Sequence, residues 1–199
     1  SQNIPMTLDI GLLLRHYKRK DIQDAMVAHF PDREVAVRYD EQFGKRPDVI
    51  RYPKDIIDFA QQGVTSFHCS EERWDNPLRL ENISGKQLDD LRIGWDLVLD
   101  IDCALFEYSK ICAELVIQFL RSRGVRDLSC KFSGNKGFHI GIPFEAFPST
   151  VGGKDIRTLF PEAPRRIAHY VKENIKVELG KRILEYEKND FGTVKDKTG

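Results

Sequence analysis

Apolar residues over positions 8–30 recur at helical spacing, broken by the charged run Lys18-Arg-Lys-Asp21, so two helices meeting at that run are expected. Residues 34–39 alternate as a strand does. The polar run 40–47, punctuated by Gly44 and Pro47, predicts a loop. Pro53 opens a short helix that Gly63 closes at its C-terminal cap, and residues 65–69 are short and β-prone. Residues 95–102 (Trp-Asp-Leu-Val-Leu-Asp-Ile-Asp) are the most strand-like segment. Leu97, Val98 and Leu99 are consecutive apolar residues, which predicts a central strand covered on both faces. Residues 104–123 read as a helix stopped by Gly124. Residues 128–133 and 138–142 read as antiparallel strands around a glycine-bounded loop. An apolar stripe through Ile167, Val171, Ile175, Leu179 and Ile183 predicts an amphipathic helix over 161–186. The polar residues 187–199 predict a frayed end. This order of elements gives an α/β or α+β fold, with a mixed central sheet flanked by helices.

Composition narrows the function classes. The chain has 199 residues and is 41% apolar, enough to bury a real core in a single domain over 1–199. Lys plus Arg and Asp plus Glu number 31 each, which excludes a wholly basic nucleic-acid coat but not a local basic groove. Apolar runs such as residues 10–14 fall far short of the roughly 20 residues that span a bilayer, so no membrane partner is expected. No charged-then-apolar leader opens the chain. Four widely spaced cysteines without secretory marks read as reduced thiols. The expectation is a soluble intracellular protein.

Two clusters carry chemistry. Asp100 and Asp102 lie two apart on a strand and so share a face at its C-terminal end. Paired carboxylates repel unless a cation sits between them. Mg²⁺ or Mn²⁺, completed by substrate phosphates, suits such a pair; the alternative is that one Asp caps the next helix and the other is solvated. The second cluster is Ser133-Gly-Asn-Lys-Gly-Phe-His139. Gly134 and Gly137 permit positive φ and close approach to an anion, while Ser133, Lys136 and His139 offer a hydroxyl, a cation and an imidazole to phosphate oxygens. If 134–138 form the loop, Ser133 and His139 oppose each other and face the same way. The same residues also suit an ordinary glycine-stabilised hairpin.

Taken together, an apolar strand ending in Asp-x-Asp, a helix, and a strand–Ser-Gly-x-Lys-Gly-x-His–strand hairpin resemble the archaeo-eukaryotic primase superfamily and its small catalytic subunit. The resemblance covers residues 8–148, including the N-terminal helices, residues 33–39 and the Phe-Gly-Lys-Arg-Pro run at 43–47. Residues 149–199 are left as a helical extension or subdomain. The resemblance implies a primase-polymerase-like catalytic core in which Asp100 and Asp102 bind divalent ions. Ser133, Gly134, Lys136, Gly137 and His139 would hold an incoming nucleoside triphosphate. The implied reaction is template-directed nucleotidyl transfer that makes primers for DNA replication. Implied partners are a single-stranded DNA template, nucleoside triphosphates and a primase large subunit. Placement would be cytoplasmic and nucleoid-associated in an archaeon, nuclear in a eukaryote. A primase-polymerase of repair or end joining shares the same core. A non-catalytic nucleotide- or nucleic-acid-binding module and an Asp-x-Asp glycosyltransferase are readings from other classes. Ala104 argues against an Asp-x-Asp-x-Thr/Val phosphatase.

The chain departs from the family pattern at two points. The family's third metal-binding Asp, on a later strand, has no match, Asp190 being the nearest candidate; Lys197-Thr-Gly199 is a faint echo of a later family motif. This is the pattern of a catalytic domain truncated at its C-terminus or of a shortened lineage. Zinc is not expected. Only Cys103 and Cys112 follow the Asp pair, with no Cys-x-x-Cys, and a closed site needs four ligands, to which His68 and Cys69 would have to contribute. Among the basic residues Arg15, Lys18, Arg19, Lys20, Lys45, Arg46 and Arg51, the pair Lys45 and Arg46 beside Phe43 is the best candidate nucleic-acid contact; the rest read as a solvated surface.

Overall fold

The computed structural model describes residues 9–195, with side chains through residue 189. The fold class is α+β, and the chain divides into two compact units that meet in sequence between Trp95 and Asp96.

In the first unit the charged run separates α1 (Ile10–Tyr17) from α2 (Lys20–His29), as the interrupted periodicity predicts. Next come β1 (Val35–Tyr39), β2 (Gln42–Phe43), α3 (Pro53–Gln61), β3 (Ser66–Cys69), β4 (Glu72–Trp74), α4 (Lys86–Leu91) and β5 (Arg92–Trp95). The expected loop at 40–47 thus contains a short strand, because Gln42 and Phe43 fold back onto Tyr39 and Arg38. Strands β2-β1-β3 form one antiparallel sheet and β4-β5 a second. Pro53 occupies the first turn of α3, where its missing N–H costs nothing. The Asp55 carboxylate accepts from the backbone N–H groups of Arg51 and Tyr52. Gly63, at φ +90°, lets the chain leave the helix. Leu13, Tyr17, Val35, Val37, Ile56, Ala60 and Val64 close the core.

The second unit comprises β6 (Leu97–Asp102), α5 (Phe106–Ser122), β7 (Ser129–Gly134), β8 (Gly137–Ile142), the short pair β9 (Thr150–Val151) and β10 (Lys154–Asp155), and α6 (Glu162–Lys195). Its main sheet has the order β6-β8-β7, and both pairings are antiparallel. This corrects two expectations. The sheets among the described residues are antiparallel rather than mixed. And β6 stands at one end of its sheet, with one face open. Leu97, Leu99 and Ile101 are buried, whereas Asp100 and Asp102 are exposed and Val98 is half-buried, so the pleat decides the faces despite the continuous apolar run. The strand also begins at Leu97 rather than Trp95, which belongs to β5. The Asp96 carboxylate turns aside to accept from the Phe144 N–H at 3.0 Å.

Helix α5 packs on β6 and β8, and α6 packs on α5 and β6. Val171 and Ile175 of the expected stripe are buried, and Ile167, Leu179 and Ile183 half-buried. The expected frayed end is helical through Lys195 instead. Tertiary contacts carry the helix past its apolar stripe: Tyr186 meets the Tyr108 ring edge-on, and the Tyr108 hydroxyl donates to the Glu187 carboxylate. Residues 196–199, including the Lys197-Thr-Gly199 echo, lie outside the described residues.

Candidate metal and triphosphate site

Register builds this site. Antiparallel pairing of β6 with β8 sets Asp100 opposite His139 and Asp102 opposite Gly137. Pairing of β7 with β8 sets Lys131 opposite His139. Residues two apart share a face and directly opposite residues point the same way. Asp100, Asp102, Gly137, His139 and Lys131 therefore lie on one polar face, while Leu97, Leu99, Ile101, Ile140 and Ile142 lie on the face toward the helices. His139 Nε2 stands 3.5 Å from Asp100 Oδ1, and the Asp100 side chain is 69% exposed.

The hairpin turn is tighter than the sequence suggests. Gly134 pairs with Gly137, leaving Asn135 and Lys136 as the turn, and a bulge falls between Phe132 and Gly134. Gly134 adopts φ +108° and Asn135 φ +53°. Gly134 thus uses the conformational freedom assigned to it, whereas Gly137 serves through close approach. A Cβ on Gly137 would stand 2.7 Å from Ser133 Oγ, 2.9 Å from the Ile101 carbonyl oxygen and 3.9 Å from Asp102 Cβ. The bulge corrects the expected opposition of Ser133 and His139. Ser133 lies in the bulge, and its hydroxyl and the Asp102 Cβ both border Gly137, two residues along β8 from His139. Lys136 Nζ donates to the Ala104 carbonyl at 2.9 Å, tying the turn to the segment just after Asp102.

The structure thus brings Asp100, Asp102, Ser133, Lys136 and His139 to one end of one sheet. Lys131 joins them, a residue not singled out from sequence; its alternation with Phe132 was the available signal. The site is an open face, whereas two concavities of about 370 and 570 Å³ lie within the first unit and include none of these residues. The side chains fit a hard divalent ion only in part. Two carboxylates are present, and among the described residues no three His, Cys, Asp or Glu side chains gather as a metal-binding group. Asp190 falls within α6, not on a strand, and its side chain lies outside the described residues.

Neighbouring groups are occupied differently. Burial, reinforced by the adjacent Cys103 thiol, pushes the Cys112 thiol up to about 11. The Cys103 N–H donates to the buried Ser109 hydroxyl at 3.0 Å, fixing the turn between β6 and α5. Lys45 and Arg46 belong to the first unit. Arg46 holds the largely buried Glu34 carboxylate in a two-pronged pair at 2.6 and 2.7 Å, and this hydrogen bonding raises the guanidinium pKa. Arg46 is thereby committed to its own unit. Phe43 is 57% exposed, with Arg38 5.6 Å from its ring centroid. Arg19 and Lys20 pair with Asp21 and Asp24, in keeping with a solvated surface.

No family model matches the chain. Over 108 residues, 54% of its length, it is 33% identical to an uncharacterized protein of Methanocaldococcus jannaschii. The match takes in 24% of that protein, so the matched part of the chain spans about a quarter of the curated relative's length. No helix among the described residues is long and apolar enough to cross a membrane.

Proposed function

We propose that this chain carries the catalytic core of a primase-type nucleotidyltransferase, which joins nucleotides on a single-stranded DNA template with Mg²⁺ or Mn²⁺. One observation carries the reading: the β6–β8–β7 register gathers both motifs at one sheet end, with Asp100 facing His139 and Ser133 Oγ and Asp102 both bordering Gly137. Two carboxylates with a nearby hydroxyl, an imidazole and the ammonium groups of Lys131 and Lys136 are a complementary surface for a metal-bound triphosphate, whose own oxygens complete the ion's coordination. In this reading Asp100 and Asp102 are the metal ligands. Ser133, His139 and Lys136, released from Ala104, bind the phosphates. A bound ion would supply charge neutralisation at the phosphates, and these residues would position the triphosphate for in-line displacement. A large subunit and a replication role belong to the same proposal; the repair form of the enzyme uses the same residues. Incorporation of labelled ribo- and deoxynucleotides on a primed single-stranded template, with Mg²⁺ or Mn²⁺, tests it. Asp100→Asn should abolish incorporation, and incorporation that survives this change would overturn the proposal.

A second reading is favoured by one observation. Two-metal transfer needs an ion fixed at the attacking hydroxyl, and no third carboxylate joins Asp100 and Asp102 among the described residues. A module that binds a metal-triphosphate without extending a primer accounts for that. Calorimetric binding without incorporation would select it.

A further inference from the structure

On the helix-facing side of the β7–β8 hairpin three phenylalanine rings touch. Phe106, from the first turn of α5, stacks on Phe138 with centroids 5.7 Å apart and planes at 28°. It meets Phe132 edge-on at 5.9 Å, and Phe132 lies 5.8 Å from Phe138. Burial is the main stabilisation such rings offer a fold, yet Phe132 is 54% and Phe106 41% exposed. Core packing does not account for them. Ammonium groups stand close by. Lys110 Nζ is 5.6 Å from the Phe106 centroid while also donating to Glu107, and Lys136 is held at Ala104, two residues before Phe106. Phe132 pairs with Phe138 across the ladder one step from Gly137, the partner of Asp102, so rings and carboxylates occupy the same end of the sheet on opposite faces, and a strand reaching both passes around that end.

We propose that Phe132 and Phe106 form a stacking platform for the bases of a single-stranded nucleic acid, the template strand of the nucleotidyl-transfer reading, on which the identity of this partner rests. Every base has a π-face, so exposed rings bracketed by lysines hold bases and their linking phosphates without reading sequence. A template strand requires that indifference to sequence.

Fluorescence anisotropy of the full chain with a labelled 15-residue oligo-dT tests this, beside calorimetry with a nucleoside triphosphate and Mn²⁺. Phe132→Ala and Phe106→Ala should each weaken oligonucleotide binding roughly ten-fold, the order expected for one lost base stack, with triphosphate affinity unchanged. Phe132→Trp should restore binding and Phe132→Leu should not. A thermal melt checks that each variant folds. The platform is overturned if wild type binds no oligonucleotide, if Phe132→Ala binds as wild type does, or if Leu serves as well as Phe. It is also overturned if wild type self-associates on size exclusion and Phe132→Ala does not, which would make the patch an interface between copies. Ring-dependent oligonucleotide binding by a protein that binds no triphosphate would support the platform and overturn the nucleotidyl-transfer reading instead.

Discussion

Adding one methyl group at Gly137 probes how tightly the two motifs are held together. In Gly137→Ala the new Cβ would meet Ser133 Oγ at 2.7 Å and the Ile101 carbonyl oxygen at 2.9 Å, both inside the closest distances that Cβ atoms keep. The two contacts differ in what relieves them. Ser133 can rotate, but only by taking its hydroxyl out of the site. The Ile101 carbonyl is backbone of the paired strand, and it retreats only if the β6–β8 ladder opens beside Asp102. Overpacking costs about 1–3 kcal/mol, and a clash with ladder backbone belongs in the upper half of that range. In a chain of this size that lowers the midpoint of thermal unfolding by roughly 4–12 °C. Ser133→Ala in the same chain removes the shorter contact and leaves the other, so the double variant should recover part of the loss and not all of it. Urea denaturation of wild type, both single variants and the double gives the coupling directly. Calorimetry on the same four proteins should show Gly137→Ala losing triphosphate affinity along with stability. A Gly137→Ala variant within about 0.5 kcal/mol of wild type, with unchanged affinity, would refute the close approach of β8 to β6 and with it the geometry of the site.

Lys136→Ala and His139→Ala should each weaken triphosphate binding roughly ten- to hundred-fold, since charge-assisted contacts are worth about 1.5–3 kcal/mol. Nucleoside binding should barely change, and equal losses for both ligands would point to a damaged hairpin. Cys112 sets a pH dependence. Its folded pKa, about 11, lies above the ordinary 9.0, so the folded chain keeps a proton that the unfolded chain gives up. Its contribution is fully present below about pH 9 and is lost as pH rises toward 11. Denaturation midpoints across that window should fall less steeply in Cys112→Ala than in wild type, and equal slopes would contradict the burial. The thiolate is the reactive form, so a maleimide at pH 8 should label exposed Cys130 well before Cys112.

Much of the local structure was legible because the signals were local. The break between α1 and α2 is written in the run Lys18-Arg-Lys-Asp21, the limits of α3 in Pro53 and Gly63, and the β7–β8 hairpin in its glycines. What depended on distant partners was not. Leu97-Val98-Leu99 looks like a central strand, but which side of β6 is covered follows from where β8 and α5 lie, and no local pattern encodes that. Helix α6 runs on through polar residues because Tyr108, some eighty residues earlier, holds its later turns. The site followed the same division. Asp100, Asp102 and His139 stand out as candidates by type and spacing, and pleating alone places the two carboxylates on one face. The bulge that takes Ser133 out of the ladder beside Gly137, and the arrival of Lys131 opposite His139, are properties of register, fixed only when three strands pair.

The central claim is that Asp100 and Asp102 hold a divalent ion against a triphosphate bound by the hairpin, and isothermal titration of the chain with a nucleoside triphosphate tests it most directly. Wild type should bind the triphosphate with Mn²⁺ present and lose that binding when EDTA is added. Asp100→Asn and Asp102→Asn replace a carboxylate by an amide of nearly equal volume on exposed positions, so both should melt as wild type does while losing the metal-dependent binding. Binding that is the same with and without Mn²⁺, or that persists at full strength in both variants, would contradict the account.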